Sequence, residues 1–418
     1  MVSERIHVKV RPRNRHTQDA YEKLTAGAFL LNRPASPIGI SRNISYLIGS
    51  FYHINIPAIE MKYHDKPLSV IVVGVGQMGH SHALAYHQNP GFQIVGLVSR
   101  TPPKKLPEGL GEYPVLSTFE EGLALNPDIV SINTHTATHA DYAVAAMEAG
   151  AHVFVEKPLA ATVSEAERVV RTARRTGRKL VIGYILRHHP SWREFIRQAR
   201  QLGPPYVMRM NLNQRSTGDA WNIHKRLLQD VKNPVIDCGV HYIDVMLQIT
   251  DSKPVQVRGM GLRLSDELSS DGQVNYGHLQ VIFADGSVGW YEAGWGPMIS
   301  ETAYFVKDVI SPGGSVSIVM DSDEKTTGKG GSADVNSHTK TSNLRVSTVV
   351  DGQAHDQILS MAGEPDHYEL CALEQQFLLD AIREDRDLSQ HMEDAIRSLD
   401  IVIAADRSMR ENRAIDLN

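Results

Sequence analysis

The sequence predicts an α/β protein in two parts: a doubly wound parallel sheet, then an α+β domain with an open, mainly antiparallel sheet. Three observations carry this. Between residues 68 and 187, short apolar β-branched runs alternate with helical stretches, the pattern of a parallel sheet covered on both faces. Beyond about residue 205 the strand signals come closer together and alternate apolar with polar residues, as half-buried antiparallel strands do. At 418 residues the chain has room for two or three cores.

In order, "LSVIVV" (68–73) is a buried strand, followed by a glycine loop and a helix ending near Asn89-Pro90. "FQIVGLVS" (92–99), "PDIVSINT" (127–134), "HVFVEKP" (152–158) and "KLVIGYILR" (179–187) are further strands, with a helix from about His139 to Gly150 between the second and third of these. "SEAERVVRTARRTG" (164–177) is an amphipathic helix, with Ser164 and Glu167 spaced as a capping box and Gly177 as its C-cap. The second part holds strands at 206–212, 255–262, 277–283 and 287–293, with an Asp-Gly turn in "FADGSV" marking a hairpin. Residues 321–343 are polar and Gly/Ser-rich and read as a mobile surface loop. Tyr368 to Asn412 is helical, broken near "REDRDLSQ". The domain boundaries fall at 67–187 and 188–418. Residues 1–66 show no strong period and read as a poorly ordered extension, or as an upstream start ahead of Met61.

Composition narrows the function. The formal charge of -5 gives no reason to expect a nucleic-acid partner. The two cysteines, Cys238 and Cys371, cannot frame a disulfide scaffold; they fit a reducing, cytoplasmic setting and offer no Cys-pair zinc spacing, so no metal is expected. No apolar stretch reaches membrane-spanning length, and the N-terminus lacks a signal-peptide layout.

"GVGQMG" is Gly74-x-Gly76-x-x-Gly79, following a buried strand and opening a helix. In that context it reads as a dinucleotide loop: Gly74 makes the tight turn, Gly76 admits a pyrophosphate, and Gly79 lets helix and strand touch. Gln77 and Met78 complete the loop, and the phosphates sit on the free N–H groups of the helix N-terminus. The second strand ends in Ser99-Arg100, with no carboxylate to bind a ribose 2'-hydroxyl. Arg100 would attract a 2'-phosphate, so the cofactor is NAD or NADP with a lean to NADP.

Lys157, in "EKP" after Glu156, stands beyond the carboxyl end of a parallel strand, where ligands bind in open α/β sheets. There it could stabilise alkoxide character on a substrate oxygen. "DCGVHYID" places Asp237 and His241 one turn apart on a helix, with Asp244 three residues further. A metal site, a structural His–carboxylate pair and a catalytic pair compete here; the catalytic reading makes His241 the base and Asp237 its orienting partner. Gly239 would allow a close approach, Asp244 is a structural partner, and Cys238 is a small packed residue. Arg187, where the domains join, is assigned to cofactor or substrate, and His188 and His189 to the surface. Trp221 either stacks on a sugar or packs in the core, with His224 available to bond hydroxyls. His80 and His82 point to different faces of their helix.

"GVGQMG", "NTHTATH", "AGAHVFVEKPLA" and "DCGVHYID", in this order, resemble the Gfo/Idh/MocA family, named for glucose-fructose oxidoreductase and inositol dehydrogenase, over about residues 68–418. The resemblance implies an N-terminal Rossmann domain and a C-terminal domain whose open sheet makes the oligomer contact, giving a dimer or tetramer. It implies hydride transfer between a sugar or cyclic polyol and nicotinamide, with Lys157, Asp237 and His241 as the catalytic group and Lys157, Trp221, His224, Asp237 and His241 around the substrate. Thr134 and His139 match the family's loop over the cofactor, although Thr134-His135-Thr136 departs from its usual Thr-Pro-Asn. Two alternatives on the same fold are a glycosidase using transient oxidation by NAD and a non-catalytic sugar-sensing regulator; a reductase running in the opposite direction is a third.

Overall fold

The structure, a computed structural model, describes residues 66–101, 106–269, 272–300, 305–320 and 339–417. The extension expected before residue 66 and the loop core at 321–338 lie outside the described residues.

The first domain alternates β1 (Leu68–Val73), α1 (Gln77–Gln88), β2 (Phe92–Val98), β3 (Val115–Leu116), α2 (Phe119–Leu123), β4 (Ile129–Ile132), α3 (Thr136–Glu148), β5 (His152–Val155), α4 (Val163–Thr176) and β6 (Leu180–Ile182). The strands assemble in the order β3-β2-β1-β4-β5-β6, all parallel. The order reverses between β1 and β4, and that switch point opens a crevice at the strand carboxyl ends. Most β1 side chains are buried because helices cover both faces. Two boundaries differ from the sequence reading. Helix α4 starts two residues early: Thr162 Oγ1 accepts from Glu165 N at 3.2 Å, and the Glu165 carboxylate accepts from Thr162 N at 3.0 Å, so the capping box is Thr162/Glu165 and not Ser164/Glu167. The strand expected over 179–187 stops at Ile182, after which the chain leaves the sheet and winds into a short turn at Ile185–Arg187.

The second domain continues with α5 (Pro190–Leu202), β7 (Val207–Arg215), α6 (Gly218–Val231), α7 (Pro234–Thr250), β8 (Pro254–Leu262), β9 (Tyr276–Phe283), β10 (Val288–Gly296), β11 (Lys307–Ser311), β12 (Gly314–Val319), β13 (Asn343–Val350), β14 (Gln353–Ser360), α8 (His367–Arg383), α9 (Ser389–Glu411) and β15 (Ile415–Asp416). Among the described residues its sheet runs β14-β13-β12-β11-β7-β10-β9-β8-β15. Every pairing is antiparallel except β7 with β10. The Asp285-Gly286 turn joins β9 to β10, with Gly286 at φ +84°, a conformation glycine adopts without a Cβ penalty. The polar stretch expected to end at residue 343 ends sooner: Thr339 is already buried and Asn343 opens β13.

One face of this sheet is covered by α5, α7 and α9 over a core that includes Met208, Tyr291 and Trp295. The other face leaves Val207, Met260, Ile282, Val288 and Ile310 exposed. The last two helices return to the first domain, α8 against α1 and α9 against α4 and β6. No helix among the described residues is long and apolar enough to cross a membrane.

Candidate active site

The glycine loop is built as its spacing demands. Gly74 has φ +86°, and a Cβ there would stand 2.6 Å from Asn133 O; a Cβ on Gly79 would stand 1.9 Å from Gly74 O. Loop and helix therefore touch through two glycines. Gly76 is different: nothing lies within 4 Å of its Cβ position, so it faces open space. It is also the N-cap of α1 with no side-chain cap, which leaves first-turn N–H groups free for an anion. Gly74, Gly76, Ser99, Arg100, Thr118 and Thr134 line the cleft above this loop. Ser99 donates to Thr101 O at 2.6 Å, and Arg100 is exposed at the cleft edge. Gln77 is exposed on the first turn of α1, while Met78 points into a deeper cavity. These residues fit a dinucleotide.

The cleft continues inward. A central hollow shares Asn133, Thr134 and His135 with the outer cleft, and Met78, Glu156, Lys157 and Asp237 with the inner cavity. A groove thus runs from the glycine loop to Lys157. There Lys157 Nζ donates to Asp237 Oδ1 at 3.1 Å and to Asp237 O at 3.3 Å, joining the end of β5 to the first turn of α7. Burial alone would push Lys157 down; Asp237, Cys238 and Glu156 outweigh it and hold the ammonium above its ordinary value. His241 lines the same cavity, one turn beyond Asp237, with its ring edge-on to Tyr184 at 5.9 Å. The carboxylate of Asp237 is divided between Lys157 and the Cys238 thiol, 3.5 Å from Oδ2, so the partner it positions most directly is Lys157.

Glu156 lies behind Lys157. Its carboxylate pairs with His82 Nε2 at 2.7 Å, and His82 Nδ1 meets the Gln375 amide of α8 at 2.9 Å. Burial pushes Glu156 up, but the His82 hydrogen bond and the charges of His82 and Lys157 bring it down to about 2.

Several sequence assignments fall elsewhere. Arg187 lines none of these cavities. Its guanidinium donates to Asp244 Oδ2 at 2.8 Å and Asp394 Oδ2 at 2.7 Å, a buried network tying the domain junction to α7 and α9. His139 is buried under the loops it was expected to present, between two backbone carbonyls: Nδ1 lies 2.8 Å from Pro158 O and Nε2 3.0 Å from Thr134 O, and a neutral ring donates to one of them. Thr134 itself lines the cleft. Trp221 is 4% exposed and donates to Glu267 at 3.2 Å, so it packs in the core. His224 does line the inner cavity, stacked on Trp295 with centroids 4.3 Å apart. His188 is half-buried and His189 fully buried, not surface residues, because the chain folds inward after β6. The close approach at Gly239 is to Tyr291 and Val402, each 3.2 Å from its Cβ position, and serves helix packing.

Gln214, Trp295, His367 and Glu374 line the inner cavity without having been anticipated. Gln214 Oε1 accepts from Trp295 Nε1 at 2.6 Å across β7 and β10. The polar run "NLNQRS" at the end of a strand was the available signal; His367 and Glu374 arrive from a helix far along the chain and had none.

Residues 68–184 match the profile described as oxidoreductase family, NAD-binding Rossmann fold, and residues 193–301 match the GFO/IDH/MocA C-terminal domain. With both domains matched, the chain belongs to the Gfo/Idh/MocA family. It is similar to UDP-N-acetylglucosamine 3-dehydrogenase of Acidithiobacillus ferrooxidans, 31% identical over 192 residues, covering 46% of this chain and 57% of that protein. Inositol 2-dehydrogenase of Agrobacterium fabrum is 28% identical over 194 residues, covering 45% of this chain and 55% of the relative. The match thus spans little more than half the length of these relatives. Among solved structures, myo-inositol 2-dehydrogenase from Lactobacillus plantarum shares the fold with a TM-score of 0.66 at 20% identity, covering 84% of this chain and 100% of that one.

Proposed function

We propose that the protein is an NAD(P)-dependent dehydrogenase of a sugar or cyclic polyol hydroxyl. The observation that carries this reading is the Lys157–Asp237 pair beside His241, at the inner end of a groove that begins on the glycine loop. Relatives named as inositol and sugar-nucleotide dehydrogenases support the substrate class. Residues 67–187 form the cofactor domain and 188–418 the substrate and oligomer domain. The exposed apolar side chains on the open sheet support a homo-oligomer. Two free cysteines, both buried, accord with a cytoplasmic location.

The bound cofactor would supply the hydride acceptor. The chain's own residues do the rest. Lys157, held as an ammonium by Asp237, donates a hydrogen bond to the reacting oxygen and stabilises negative charge developing on it. His241 receives the hydroxyl proton. Gln214 and His224 offer hydrogen-bonding groups along the cavity wall, and Trp295 an apolar surface. Arg100 at the open edge of the cleft favours NADP, since it can pair with a 2'-phosphate.

A panel of sugars and inositols, assayed with NAD and NADP separately by nicotinamide absorbance, tests the reading. Reduction of cofactor with at least one of them is expected, more efficient with NADP. Sugar release without net cofactor reduction would replace the dehydrogenase with a glycosidase. Cofactor binding with no turnover on any of the panel would count against the substrate class.

A further inference from the structure

We propose that His82, Cys371 and Glu374 bind a divalent transition-metal ion of the zinc class at the seam between α1 and α8. This rests on side chains outside the Lys157–Asp237–His241 group and holds whether or not the dehydrogenase reading does. Each residue offers one ligand atom, and the three atoms lie within 4.8 Å of one another. Cys371 and Glu374 are three apart on α8, so they share the helix face turned to α1, which brings His82. All three are buried: His82 and Cys371 are 0% exposed, and Glu374 1%.

Two further observations point to a ligand. Glu374 Oε1 is buried with no hydrogen-bond partner. A buried polar atom left unpaired destabilises the fold, which an ion would relieve. His82 also has the second contact that metal-bound histidines make, its Nε2 bonded to the Glu156 carboxylate at 2.7 Å. With Nε2 taken, Nδ1 is the nitrogen that faces α8. The Gln375 amide now occupies it at 2.9 Å and would yield to an ion. His367, one turn before Cys371, has Nε2 3.8 Å from Sγ.

The donor set chooses the ion. Sulfur with imidazole and carboxylate suits zinc and excludes magnesium or calcium, which take oxygen. Binding draws the donors together by on the order of 1 Å to reach zinc–ligand distances. It releases the thiol and carboxyl protons. Glu374 and His367 line the inner cavity, which supplies a way in.

The test uses the full chain, stripped with a chelator and dialysed against Zn²⁺ or Co²⁺. One zinc per chain by elemental analysis is expected, with a raised thermal midpoint and, for cobalt, a thiolate-to-metal charge-transfer band. Cys371→Ala and Glu374→Gln, with folding checked by circular dichroism, should lose the bound zinc, and Cys371→Ala the band, while Cys238→Ala keeps both. Absence of zinc and of the band in the folded wild type would overturn the site. So would zinc and a band undiminished in folded Cys371→Ala.

Discussion

Two ion-pair systems hang from opposite ends of the same short motif, DCGVHYID. At one end Asp237 meets Lys157; at the other Asp244, two turns along α7, meets Arg187, which also pairs with Asp394. Both link α7 to the chain following a strand of the parallel sheet. They differ in what is left over. The Lys157 and Asp237 side chains are 19% and 16% exposed, face a cavity and retain donors and acceptors for a ligand. Asp244 is 1% exposed, and its oxygens are taken by Arg187 and Gln248. The same chemistry is open to a cavity at one end and closed at the other.

The largest expected effect tests the open end. Lys157→Ala or His241→Ala should lower turnover by about 10²–10⁴-fold, the usual contribution of a positioned acid or base, with the thermal midpoint little changed. Steady-state kinetics beside thermal melts read both. The closed end should behave in reverse. Arg187→Met leaves the buried Asp244 and Asp394 carboxylates without their cation and should cost about 3–5 kcal/mol of stability, read by denaturant unfolding. A Lys157 variant that unfolds the protein, or an Arg187 variant that leaves stability intact, would break the comparison.

Between the two stands Glu156, buried behind Lys157. Its carboxyl is depressed to about 2 from an ordinary 4.5. A depressed carboxyl contributes stability above the ordinary value and loses it as pH falls through the folded one. Stability should therefore drop as pH falls from about 4.5 to about 2. Glu156→Gln should flatten that acid limb in pH-dependent melts.

The fold was legible because its signals are local: β-branched runs, a glycine loop and an Asp-Gly turn each need only neighbours in sequence. The helix carrying Asp237 and His241 was legible for the same reason. What failed needed distance. Arg187 reads as a ligand until Asp394, 207 residues later, claims it. His139 sits in the expected loop motif but turns inward to Pro158. Trp221 and Trp295 were indistinguishable as aromatics; only the packing of β7 on β10 shows which one faces the cavity. His82 gave no sign of its role, since its partners Glu156 and Gln375 come from two other segments.

The smallest effect lies at the outer edge of the groove. Arg100→Ala should weaken NADP by about tenfold relative to NAD, the loss of one charge-assisted contact. Equal weakening of both cofactors would remove the argument for NADP.

The central claim is that Lys157 acts on the reacting oxygen and not on the fold or the cofactor. The direct measurement is a paired titration of wild type and Lys157→Ala: cofactor affinity by fluorescence, and single-turnover cofactor reduction with the best substrate of the panel. Unchanged affinity with reduction slowed by orders of magnitude is the predicted result. Reduction at the wild-type rate, or loss of cofactor binding with the fold intact, would contradict it.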